Sequence, residues 1–284
     1  MKSWTLTDIP WCRFDPAKVD PQMVTVVKAA AMVEHNGGDY ATYLCNVFHD
    51  DPQFQAAARE WAQEEIRHGQ ALARWAKLAD PAFDFESQFE RFTNGFRLPL
   101  RATRSVRGSR TGELIARCIV ETGTSSFYSA LAEACEEPVL KAICRNIAAD
   151  EFRHYKLFYD HMKRYQACER PGLLTRARVI FGRLGEVRGD DELPLAYYCA
   201  NPEEFARYDR RSSGRAYSRR ASQYYRPHHV ERAVAMILKA LGIRPNGRLG
   251  LTLVSLARYW LSREAGRARR SPGPVHGPLE ASKG

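Results

Sequence analysis

The chain has 284 residues, 44% of them hydrophobic, enough to bury one large helical core or a bundle with an appended part. No apolar run approaches the roughly 20 residues that a bilayer-spanning helix needs, and the N-terminus shows no apolar signal-peptide core, so a cytoplasmic protein is expected. The net charge of +10 belongs to the C-terminal part, where residues 170–284 hold 22 Lys+Arg against 10 Asp+Glu; it comes without a nucleic-acid motif, which leaves solubility, an acidic protein partner or a membrane surface as its uses.

Residues 1–20 read as an irregular lead-in broken by Pro10 and Pro16. Pro21 opens a helix predicted to run to about Phe48, with Val26, Val27, Ala30 and Val33 on an apolar stripe that also carries Glu34. A carboxylate on such a face is costly unless it is paired or bound to metal. Gly37-Gly38, odd in a helix interior, signals a bulge or a close approach to substrate. Asp51-Pro52 starts a second helix to about Leu78, in which Trp61, Glu65, His68, Leu72 and Trp75 follow three or four apart on the core-facing stripe. Residues 80–110 read as a long crossover, its phenylalanines expected to pack and its arginines to meet phosphate or an acidic protein or to be mobile. A third helix from Thr111 carries Glu121 and Thr124 one turn apart, with Tyr128 expected as a core aromatic. A fourth, from Pro138 to about Ala167, aligns Ile147, Glu151, His154 and Phe158. Further helical patterns over 173–184, 193–207, 215–225, 230–241 and 249–261 are expected to wrap a bundle of residues 21–168, and residues 266–284 form a basic tail expected to be disordered. His228-His229 is not expected to hold metal, because adjacent helical residues point apart and no acid cluster accompanies them.

The chain thus repeats one unit: a helix with a buried Glu, a turn, then a helix with an acid, a Glu, two spacers and a His. Glu65/His68 and Glu151/His154 are i, i+3 pairs, so each points a carboxylate and an imidazole into the same space. Two single glutamates, Glu34 and Glu121, with two Glu-x-x-His pairs on four helices are the ligand set of di-iron carboxylate bundles. The predicted fold class is an all-α, ferritin-like four-helix bundle with additional C-terminal helices. From its place beside Glu151, Asp150 is expected to accept the distal imidazole proton of His68 and fix its tautomer.

The segments W-A-Q-E-E-I-R-H-G (61–69) and I-A-A-D-E-F-R-H (147–154) resemble the two metal-binding helices of the soluble acyl-carrier-protein desaturases of the ferritin-like superfamily, a likeness covering about residues 20–168. The resemblance implies two iron ions per chain held by Glu34, Glu65, His68, Glu121, Glu151 and His154, and these ligand types also suit manganese at one or both positions. It also implies that Trp61 and Asp150 support the ligands from behind, and that Thr124 is a catalytic residue beside the oxygen-binding face. Expected partners are an external electron donor such as a ferredoxin, an acyl carrier protein, and a second copy in a homodimer. Rubrerythrins carry a four-cysteine iron site of their own; the seven cysteines here are scattered without a C-x-x-C pair, so electrons must come from outside. The activity implied is O2-dependent desaturation or hydroxylation of an acyl chain, with N-oxygenation of another substrate a close variant. The alternative is a ferritin-like iron-handling or peroxide-scavenging protein without an organic substrate, which needs neither Thr124 nor the long C-terminal extension.

Overall fold

In the computed structural model the described residues are 4–189 and 191–256, side chains of 187–189 excepted, and every regular element among them is helical. Three short 3-10 turns lead in, and α1 (Pro21–His35) then starts under a cap from the Asp20 side chain, with Pro21 in its first turn. The single helix expected to reach Phe48 is interrupted at Asn36, after which α2 (Gly37–Val47) continues. A turn capped by Asp51 leads into α3 (Pro52–Ala79). The helices approach closely beside the break: a Cβ on Gly37 would lie 2.5 Å from Cβ of Glu65, and one on Gly69 would lie 2.6 Å from the backbone nitrogen of His35. Only glycine admits this separation, so the close approach foreseen at Gly37 is to a neighbouring helix.

A second pair, α5 (Arg110–Ala134) and α6 (Pro138–Glu169), packs along its length, and α3 against α6 joins the pairs into a four-helix bundle. Apolar side chains collect in two clusters, one around Met32, Leu72, Trp75, Leu131 and Ile143, the other around Leu44, Phe54, Leu114 and Phe158. Along every bundle helix the residues between these clusters are polar: Glu34, Glu65 with His68, Glu121, and Glu151 with His154. The sequence therefore builds one polar layer across an otherwise apolar bundle.

The crossover carries a helix of its own, α4 (Phe85–Gly95). Phe83 and Phe92 are fully buried, and Phe85 and Phe89 meet the His35 ring edge-on, so these aromatics pack as expected. Two arginines of this stretch are fixed, Arg107 by Glu186 and Arg110 by Asp50 and the Val47 carbonyl.

Beyond the bundle follow α7 (Leu173–Gly189), α8 (Glu192–Ala200), α9 (Arg210–Ser222) and α10 (Pro227–Leu241), and residues 248–256 are again helical. α8 lies against α1 and α4, α9 against α8, and α7 and α10 against α5. The pattern read as one helix over 193–207 ends at Ala200, because Pro202 follows and forms a 3-10 turn. α9 starts earlier than periodicity suggested, at an Asp209 cap. The tail over 266–284 lies outside the described residues. No helix among the described residues is long and apolar enough to cross a membrane.

Asp51 ties α3 to the end of α6: Oδ1 accepts from the Phe54 N–H at 3.0 Å, and Oδ2 accepts from the Tyr165 hydroxyl at 2.6 Å and from Arg164. Burial alone would raise its carboxyl; these hydrogen bonds outweigh burial and hold it below the ordinary value. A depressed folded pKa gives stability that is full above the unfolded value of about 4 and is lost as pH falls through the folded one. Asp51→Ala should lower stability by about 1–2 kcal/mol at neutral pH through the lost cap, and Asp51→Asn, which keeps a cap, by less. Thermal melts from pH 7 downward should show the Asp51→Asn deficit shrinking as acid protonates the wild-type carboxyl; a constant deficit would refute this account.

Candidate metal centre

Each bundle helix delivers its polar residue to the same layer. Glu34, Glu65, His68 and Glu151 form one group of donor atoms within 4.8 Å of one another, and Glu65, Glu121, Glu151 and His154 form a second. Glu65 and Glu151 belong to both groups, so two ions held there would share them, with Glu34 and His68 on one side and Glu121 and His154 on the other. All six residues are buried, His68 and Glu151 completely.

The imidazoles are oriented from behind by a reciprocal crossing. Asp150 on α6 faces Nε2 of His68 on α3 at 3.0 Å, and Glu64 on α3 faces Nε2 of His154 on α6 at 2.8 Å. In each repeat the acid before the ligand Glu serves the histidine of the other repeat. With Nε2 engaged, Nδ1 of each ring turns to the carboxylates: His68 Nδ1 lies 3.2 Å from Glu151 and 3.3 Å from Glu34, His154 Nδ1 3.0 Å from Glu65. Arg153 braces both acids, and Arg67 lies 3.4 Å from Glu64 and 3.7 Å from Asp150. A carboxylate behind a ligand histidine fixes its tautomer and raises its basicity.

The protein groups by themselves carry excess like charge. Burial first, then the neighbouring carboxylates Glu151, Glu34 and Glu65, push Glu65 and Glu121 well above the ordinary carboxyl range. Burial would pull both histidines down, but their acid partners outweigh it, raising His68 well above its usual value and His154 to about 10. Burial would also raise Glu151, yet the adjacent imidazoles of His154 and His68 hold it low. Meanwhile Oε1 of Glu65, Glu121 and Glu151 and Nδ1 of His154 are buried without hydrogen-bond partners. Buried donor atoms that converge in this way fit cations that would take the place of the protons they share, and a carboxylate and imidazole set suits iron, manganese or zinc.

All nine sequence-chosen residues lie at or against this layer. Thr124 donates to Glu151 Oε2. Asp150 stands behind His68 as expected. Trp61 meets His154 edge-on at 6.4 Å between ring centres, and its Nε1 is buried without an acceptor. The indole that does hydrogen-bond is Trp4 of the lead-in: its Nε1 donates to Asp150 at 2.8 Å, and its ring lies nearly parallel to His68 at 5.9 Å. Nothing local marks Trp4, which is 146 positions from its partner. Glu64 could have been found, since it holds in the first repeat the place that Asp150 holds in the second. Tyr128, read as a core aromatic, donates its hydroxyl to Glu34 at 2.7 Å.

Contrary to the sequence expectation, His228 and His229 do not point apart. They occupy the first turn of α10, their ring centres 4.0 Å apart, and both reach Glu133. His229 Nδ1 accepts the Arg226 N–H, which leaves its Nε2 proton facing Glu133 rather than a lone pair for an ion.

Two joined cavities reach the layer. A neck of about 40 Å³ is lined by Glu65, Glu121, Glu151, Trp61, Tyr40 and Arg117 among others. A mostly apolar chamber of about 270 Å³ runs from it between α1, α5, α8 and α9, past Ala30, Ile119, Phe127, Tyr217 and Ala221. Glu34 and Thr124 line both.

The fold and this layer define the class: an all-α, ferritin-like bundle whose buried carboxylate–histidine groups can hold metal beside a small-molecule cavity. Within that class, a sequence model of the family described as "Fatty acid desaturase" matches residues 20–177, more than half of the chain, and the chain belongs to this family. No curated protein matches it.

Two expectations follow from the geometry. Trp4→Phe removes the donor that steadies Asp150 behind His68 and should weaken metal binding about 10-fold or more, read by competition against a chromophoric chelator; unchanged affinity would exclude Trp4 from the centre. Glu121→Gln replaces a buried like charge by a neutral amide of the same shape. In chelator-treated protein it should raise the melting temperature, while the number of metal ions bound per chain falls. A lower melting temperature would mean that the carboxylate is not repelled by its neighbours.

Proposed function

We propose that the protein is an O2-dependent di-iron oxidoreductase that desaturates, or hydroxylates, an acyl chain held in the chamber. The observation that carries this reading is the sharing of Glu65 and Glu151 between two ligand groups directly beside an apolar cavity. Glu34 and His68 would complete one iron site, Glu121 and His154 the other. When bound, a ferrous pair supplies the two-electron activation of O2 that breaking an unactivated C–H bond demands. Overall, desaturation removes two hydrogens from the substrate and takes two electrons and two protons from outside, with both oxygen atoms leaving as water. The chain lacks a cysteine cluster for a second redox centre, which favours an external donor such as a ferredoxin.

The chain's own residues orient, exclude and donate. Ala30, Ile119 and Phe127 offer an aliphatic body a dry wall. We assign to Thr124 the movement of a proton between Glu151 and the reacting face; its hydrogen bond to that carboxylate and its position on both cavities support the assignment. Tyr128 holds Glu34 in place from the chamber side, and Asp150 and Glu64 hold the imidazoles. An acyl carrier protein as the form in which the chain is delivered is consistent with the basic C-terminal part.

Anaerobic ferrous loading with metal counting, then oxygen exposure with reduced ferredoxin and acyl substrates, tests the reading. The expected result is two ions per chain and a product lighter by two hydrogens or heavier by one oxygen. Thr124→Val should cut product formation about 100-fold with metal content retained. Oxygen consumption that ignores every acyl substrate and ends in mineral growth would establish the iron-storage alternative instead.

A further inference from the structure

The chamber beside the metal layer holds two polar groups that binding of a bare hydrocarbon chain does not need. Its polar lining residues are Glu34, Thr124, Tyr128, Arg183, Glu192, Tyr217 and Tyr225. The first five are engaged within the protein: Tyr128 donates to Glu34 at 2.7 Å, Thr124 donates to Glu151, Tyr40 donates to Glu192 at 2.7 Å, and Arg183 lies 3.7 Å from Glu186. The last two are different. Among the described residues, the hydroxyls of Tyr217 on α9 and of Tyr225 just beyond it have no hydrogen-bond partner.

Both rings are nonetheless held. Between ring centres, Tyr217 lies 6.2 Å from Phe127 and 5.9 Å, edge-on, from Tyr197, and Tyr225 meets His229 edge-on at 6.2 Å. The Tyr217 hydroxyl is within electrostatic reach of Tyr225 and of Glu34 in the metal layer. Burial pushes both phenols up, so each keeps its proton and can donate.

A phenyl ring would cover the same wall, as Phe127 does. A hydroxyl added to such a wall loses hydration without gaining a protein partner, and native proteins keep that arrangement where something else completes the pairing. The missing partner of two O–H donors is an acceptor. An anion would join Glu34 and Glu192, the chamber's own carboxylates, where Arg183 is already paired. An uncharged carbonyl oxygen avoids that repulsion and has two lone pairs for two donors. A few placed polar groups on an apolar wall are what orients a ligand in a pocket. Both tyrosines lie beyond residues 20–177, the part that matches the family model.

Resting on the acyl-oxidising reading above, we propose that Tyr217 and Tyr225 are positioning residues that hold an uncharged carbonyl oxygen of the substrate and so fix which carbon stands at the metal layer. That oxygen is either the carbonyl of the acyl head or an oxo group borne further along the chain.

The test uses the full chain loaded with Zn(II), which is redox-silent, and equilibrium dialysis against methyl octanoate, 5-nonanone and 1-chlorononane. These ligands match the chamber of about 270 Å³, which holds on the order of ten non-hydrogen atoms at about 30 Å³ each. The double variant Tyr217→Phe/Tyr225→Phe removes the hydroxyls and keeps the rings. It should bind a carbonyl ligand about tenfold more weakly than wild type, with 1-chlorononane affinity unchanged. A loss for methyl octanoate assigns the oxygen to the acyl head, and a loss for 5-nonanone assigns it to the chain. Three outcomes overturn the proposal: neither carbonyl ligand binds wild type, the double variant binds both as tightly as wild type, or 1-chlorononane is weakened by the same factor. Should the double variant fail to fold, Tyr217→Phe and Tyr225→Phe singly, read by the same carbonyl-to-chloride ratio, decide. Metal counting and oxygen uptake by the ferrous wild type separate the two readings. Lack of a metal pair removes the oxidoreductase reading, whereas a working pair without hydroxyl-dependent carbonyl binding removes only this inference.

Discussion

Four carboxylates of four different helices meet in a core from which water is excluded, and the rest of the architecture answers to that constraint. Charge of one sign at such distances is tolerable only if it is neutralised in place. The chain supplies two imidazoles, each made more basic by an acid behind it, and leaves buried carboxylate oxygens and one ring nitrogen without hydrogen-bond partners. A hydrophobic replacement at these positions would give a sturdier bundle. The layer therefore reads as stability surrendered for the ability to take up cations.

Holding this layer together requires close helices. Glycines 37 and 69 bring the first helix against the second within distances that no side chain allows, and this sets Glu34 opposite Glu65 and His68. The reciprocal use of Glu64 and Asp150 links the two halves at the same level, so that each half completes the other. Two apolar clusters on either side of the layer confine the polar groups to one plane and keep the packing cooperative.

The helices beyond the bundle change what the metal layer can meet. α8 and α9 wall the chamber, while Arg183 of α7 and Glu192 of α8 reach the neck. The space beside the layer thus joins a mostly apolar wall to a stretch lined by charged side chains. The family match ends within α7, and α8 and α9 lie beyond it.

Much of this was legible in the residues alone. The all-helical bundle, its four long helices and the six side chains that converge between them followed from helical period and from one repeated acid–Glu–x–x–His unit, because i, i+3 geometry on a helix is local and survives any packing. What periodicity could not supply was every relation between distant segments. The close approach at Gly37 and Gly69 needed the neighbouring helix to be seen, and Trp4 reached Asp150 from a lead-in without periodicity. Tyr128 revealed its polar end only once its partner Glu34 could be seen. The sequence by itself determined which chemical groups each helix presents. Only the tertiary structure decided which of those groups face one another, since distances between segments far apart in the chain are set by the packing of the whole and not by local propensity.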